Sequence, residues 1–147
     1  MKNNNDLFYT CSLIEYIGRE QKLKRSEVVK LLGKKTIARI YDYADVFHCE
    51  PIAKTADEFI TDCQIPTGDY DNVAACRYTV PDYWTMGEVY ERLIEDVCGE
   101  DSDHVVDRLM EVYTSWIDAV LCNYNTDVYY QSREYIYECY KEGQICA

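Results

Sequence analysis

The chain has 147 residues, 48% of them hydrophobic, and a formal net charge of −12. That apolar content builds a core and excludes wholesale disorder. No apolar run approaches the roughly 18 residues of a membrane span, and the polar start Met1-Lys2-Asn3-Asn4-Asn5-Asp6 lacks the pattern of a signal peptide, so the expectation is a cytoplasmic single domain, 1–147.

Leu7, Cys11, Ile14 and Ile17 recur at helical spacing and predict a first helix over 6–21, with Asn5 or Asp6 as its cap. Ser26 then caps a short helix with Val28, Val29, Leu31 and Leu32 on its apolar face, and Gly33 terminates it. Thr36 opens a third, striped by Ile37, Ile40, Tyr41, Ala44 and Phe47. Pro51 suits the first turn of a fourth, whose inner face is Ile52, Ala56, Phe59, Ile60 and Cys63. Pro66, Gly68 and Pro81 interrupt the pattern over 64–83. Cys76, Tyr78 and Val80 alternate there, which leaves room for one short β segment near 73–80. The same stretch is a candidate boundary between two sub-units, 1–64 and 82–147.

Thr85-Met86-Gly87-Glu88 fits a capping box. It starts a helix on Met86, Val89, Tyr90, Leu93 and Val97 that ends at Gly99. Asp101 or Ser102 caps a longer helix through about Cys122, striped by Val105, Leu109, Val112, Tyr113, Trp116, Ile117 and Val120. Ser132 caps a last helix, closed by Gly143. The expected fold is mainly α, a compact bundle of about seven helices.

Charge is split along the chain. Residues 1–64 sum to zero, whereas 65–147 carry the whole −12. Within the first part, 19–39 form a basic island of net +6. Such polarity acts on association rather than on fold. The helices at 26–32 and 36–46 allow a helix-turn-helix reading in which Lys34, Lys35 and Arg39 meet phosphates. Asp42 and Asp45 follow directly and would repel a nucleic acid. A protein partner is therefore the preferred reading of this island, with a DNA-binding regulator as the alternative and an enzyme with an unrecognised site third.

Only two histidines are available for acid–base or metal chemistry. His48, beside Cys49, has no third group to orient it as part of a nucleophile pair. His104, in Asp101-Ser102-Asp103-His104, sits where caps and helix-dipole partners are expected. The eight cysteines include no CxxC and fall mostly on apolar faces, where reduced thiols pack as small hydrophobes. No phosphate-cradling loop, hydrolase or zinc motif is present. The reading is non-enzymatic, without cofactor or metal.

Two further features read first as structure, a solvated helix face and a core lined by tyrosine, and second as surfaces for protein binding. Glu88, Glu91 and Glu95 share a helix face, and their repulsion would be relieved by a basic partner. Fifteen tyrosines against three phenylalanines is a composition suited to interfaces, and Tyr129 and Tyr130 lie in the richest stretch.

The runs Cys11-Ser12-Leu13-Ile14-Glu15-Tyr16-Ile17, Arg25-Ser26-Glu27-Val28-Val29-Lys30-Leu31-Leu32 and Ile40-Tyr41-Asp42-Tyr43-Ala44-Asp45-Val46-Phe47-His48 resemble a family of short bacterial proteins of unknown function, the DUF3791 type. These are common in gut Firmicutes and often encoded beside ADP-ribosyltransferase-like toxin genes. The resemblance spans about residues 6–62. The stretch from Trp84 to Ile94 and Tyr129-Tyr130-Gln131 look like other uncharacterised Firmicutes sequences. The resemblance implies a small accessory protein, an antitoxin or immunity-like partner of a cognate toxin or effector. It carries over no catalytic residues.

Overall fold

The computed structural model describes residues 4–146, which form nine α-helices and two single 3-10 turns and no strand. The helices are α1 (Asn4–Gln21), α2 (Arg25–Asp42), α3 (Ala44–Phe47), α4 (Ile52–Asp62), α5 (Asn72–Ala75), α6 (Tyr83–Cys98), α7 (Val105–Tyr113), α8 (Ile117–Leu121) and α9 (Arg133–Glu142). The mainly α expectation holds. Among the described residues, no helix is long and apolar enough to cross a membrane.

The bundle is organised around α1. Leu7, Tyr9, Cys11, Leu13, Ile14 and Ile17 bury every side of it, so it is a central helix rather than a surface one. Its closest neighbour is α6, and α2 and α4 cover its other faces. The approach to α6 depends on Gly87, since a Cβ there would meet the Ser12 backbone at 2.9 Å. One apolar cluster runs from Leu7 to Ile136. The division of charge along the sequence is therefore no division in space: the neutral half supplies the centre, and acidic α6 lies directly on it.

Several boundaries move, each for a local reason. Gly33 adopts φ 82° and ψ 159°, so α2 is two helical segments hinged where the sequence placed a stop. The anticipated β segment near 73–80 does not form. Asp71 accepts a hydrogen bond from the Ala74 amide at 3.0 Å and starts α5 instead. The next residues are held by a side chain rather than a second strand: the Arg77 amide donates to Asn125 Oδ1 at 2.8 Å, and Asn125 Nδ2 donates to the Ala75 carbonyl. The cap of α6 is Asp82, whose carboxylate accepts from the Thr85 amide at 2.7 Å, and not Thr85 itself. The long helix expected up to Cys122 breaks between α7 and α8. Thr114 and Ser115 donate their hydroxyls back to the Met110 and Val112 carbonyls, and the Ser115 oxygen receives the Ile117 amide. Ser132 and Gly143 (φ 76°) bound α9 as the sequence indicates.

Candidate functional site

Beneath the surface, charged and polar side chains from α1, α2, α5 and the segment after α8 converge. Glu15 on α1 and Arg25 at the start of α2 are 1% and 0% exposed. Arg25 grips the Glu15 carboxylate with two hydrogen bonds, Nε to Oε1 at 2.9 Å and Nη2 to Oε2 at 2.7 Å. Its remaining hydrogens reach the Leu23 carbonyl and Asn72 Oδ1. Arg19 donates to Glu15 at 2.7 Å and to the Pro81 carbonyl at 2.6 Å. The Tyr124 hydroxyl donates to Glu15 at 2.6 Å. Gly18 makes room for all this, because a Cβ there would collide with the Arg25 side chain.

A second buried carboxylate, Asp118 on α8, accepts from the Tyr90 hydroxyl at 2.6 Å and from the Ser26 amide at 3.3 Å. It thus caps α2 from 92 residues away in sequence. The two carboxylates differ electrostatically. Burial alone would raise Glu15, but the Arg25 and Arg19 guanidiniums and the Tyr124 hydroxyl hold it down at about 2. Asp118 is pushed up by burial, against the pull of Tyr90, Ser26 and Arg25. Beside Asp118 opens a groove of about 670 Å³, lined by exposed Lys24 and Lys30, half-buried Trp116 and buried Asn72 and Asp118. The network's polar atoms pair with one another and with nearby backbone groups. It fastens α1, α2, α8 and the loop before α6 together.

Two charges of the basic island are taken up by this packing. Arg19 and Arg25 belong to the buried network, and Lys34 pairs with Asp107 on α7. Arg39 lies over the Phe47 and Phe59 rings, 5.9 and 5.7 Å from their centroids. Lys35 is exposed.

The acidic and aromatic candidates are distributed differently. Glu88, Tyr129 and Tyr130 line one cavity of about 210 Å³, together with Arg92 and Arg133. Those arginines are already engaged: Arg92 with Glu88, Arg133 with Asp96 and Glu95. Glu95 opens instead onto a cleft shared with Tyr41, Asp42 and Asp103. Glu91 is half-buried beside Glu95, and burial together with that neighbour raises its carboxyl to about 7. Lys34, Lys35 and Arg39 take no part in either cavity.

Tyr130 separates the Glu88 cavity from a second cleft, of about 620 Å³, lined by Tyr78, Asn125, Thr126 and Asp127. Tyr78 and Tyr130 are 68% and 66% exposed. The ridge is not loose. Tyr130 meets Tyr129 edge-on at 5.0 Å, and Tyr129 meets Tyr124 at 5.8 Å. Tyr124 in turn is fixed to Glu15. A chain of contacts therefore runs from the central ion pair to exposed Tyr130.

The sequence did not single out Tyr78, Tyr124 or the Glu15 network. The one available signal was Glu15 itself, a carboxylate inside the apolar run Leu13-Ile14-Glu15-Tyr16-Ile17. His104 bonds to Asp101 at 2.8 Å, and the described residues contain no group of three His, Cys, Asp or Glu placed to hold a metal ion. No family model, curated protein or solved structure matches the chain.

Proposed function

We propose that this protein is a non-enzymatic binding module that docks a basic protein partner on the ridge of Tyr78, Tyr129 and Tyr130. The carrying observation is that Tyr129 and Tyr130 front two adjoining clefts, one bearing Glu88 and the other Asp127. Tyrosine supplies large contact area with only two side-chain torsions to freeze, and the anchoring through Tyr124 has already ordered part of it. Glu88 and Asp127 place one carboxylate in each of the two clefts, and the net charge of −12 favours a cationic partner. The resemblance of residues 6–62 to the DUF3791-type proteins supports an antitoxin or immunity-like form of this role.

The test is a binding titration with the purified product of the adjacent gene. Tyr130→Ala and Tyr78→Ala should each weaken the complex at least about tenfold, about 1.4 kcal/mol. Both side chains are exposed, so melting should stay unchanged. Absence of binding, or binding indifferent to both substitutions, would remove this reading.

A further inference from the structure

The eight cysteines are all free thiols, and two of them meet at the end of the chain. Cys139 is fully buried on the inner side of α9. Gly143, at φ 76°, turns the chain back after that helix. The returning segment brings the Cys146 amide to the Cys139 sulfur, to which it donates at 3.2 Å. The Tyr135 hydroxyl donates to the Cys146 carbonyl at 2.9 Å and clamps the segment from the other side. The Cys146 thiol lies near enough to the Cys139 sulfur for that neighbour to raise its pKa. Neither residue belongs to the tyrosine ridge, and apolar packing alone does not require a half-exposed thiol at 146 to lie on a buried one.

We propose that Cys139 and Cys146 are a reactive pair, which a low-molecular-weight disulfide converts to an intramolecular disulfide that staples the C-terminal segment to α9. The half-exposed thiol reacts first. The Cys146 thiolate attacks one sulfur of the external disulfide and expels a thiolate, leaving a mixed disulfide on Cys146. The Cys139 thiolate then attacks the Cys146 sulfur, and the second external thiolate leaves with the electron pair of the broken bond and takes a proton from solvent. Two protein thiols are oxidised, and one external disulfide is reduced to two thiols. Hydrogen bonding to Cys139 pushes the Cys146 thiol up, so the first step quickens as pH rises.

The experiment treats the full chain with oxidised glutathione at pH 8, quenches with acid and maps the cysteine peptides by mass. Exposed Cys49, whose sulfur bonds the Asp45 carbonyl, is the internal control and should keep its glutathione. The peptide spanning 139–146 should instead lose two hydrogens and carry no glutathione, and dithiothreitol should restore it. Cys139→Ser should trap glutathione on Cys146. Cys146→Ser, which alters only the half-exposed segment, should leave buried Cys139 unmodified. Glutathione persisting on Cys146 of the unaltered chain, an unreactive Cys146, or a bond from Cys146 to any other cysteine would each overturn the proposal.

Discussion

Glu15 and Glu91 sit on the two helices that pack most closely, α1 and α6, yet their surroundings drive them in opposite directions. Glu15 is the more deeply buried, and it is the stronger acid, held at about 2. Glu91 is half-exposed, and its carboxyl rises to about 7. Burial disfavours both carboxylates. What separates them is company: two guanidiniums and a phenol converge on Glu15, whereas Glu95 and Glu88 crowd Glu91. The core pairs its charges, whereas the acidic helix keeps a surplus of carboxylates.

The strongest way to break this contrast is to remove one partner of the central pair. Arg25→Met leaves Glu15 buried with Arg19 alone, and should cost about 3–5 kcal/mol in urea unfolding. The exposed pair of Lys34 and Asp107 is the control, since Lys34→Met should cost less than about 1 kcal/mol. Equal losses in the two variants would refute the central role given to Glu15. A smaller effect comes from crowding the pair without changing its charge. Gly18→Ala forces its methyl into the Arg25 side chain, and should cost about 1–3 kcal/mol with the helix content retained in circular dichroism.

The smallest effect is read from pH. Glu91 has a folded value of about 7 against 4.5 for the free side chain. The folded state therefore holds the extra proton between those values, and stability contributed there grows as pH falls from 7 toward 4.5. Glu15, at about 2 against 4.5, gives stability that is complete above 4.5 and lost as pH falls toward 2. Melting curves of the parent should thus rise slightly on mild acidification and then collapse. Glu91→Gln should abolish the rise and keep the collapse. A rise that survives in Glu91→Gln would assign it to another group.

What the sequence made legible was local. Gly33, Gly99, Ser132 and Gly143 mark chain breaks because each acts within one turn of itself. The helical stripes placed most of the core, since burial repeats every three to four residues. The missed features all depend on distance. Tyr124 reaches Glu15 across 109 positions, and Asp118 caps Ser26 across 92. No pattern in a short window carries such pairings. The same holds for the candidate surface: Tyr129 and Tyr130 stood out by composition, whereas Tyr78 joins them only because the stretch after α5 folds onto Asn125. The basic island likewise depends on the fold. Its charges are adjacent in sequence, but in the fold Arg19, Arg25 and Lys34 each have an acidic partner.

The relay from Glu15 through Tyr124 to Tyr129 and Tyr130 bears on how this protein would respond to genetic selection. On the proposed docking role, a screen for variants that fold but no longer hold a partner should return hits inside the molecule as well as on its ridge. Tyr124→Phe is the diagnostic allele: it keeps the ring that supports Tyr129 and deletes only the hydroxyl that ties it to Glu15. Interior and surface positions would then fall into one phenotypic class, and a map of mutational sensitivity would not coincide with a map of contact.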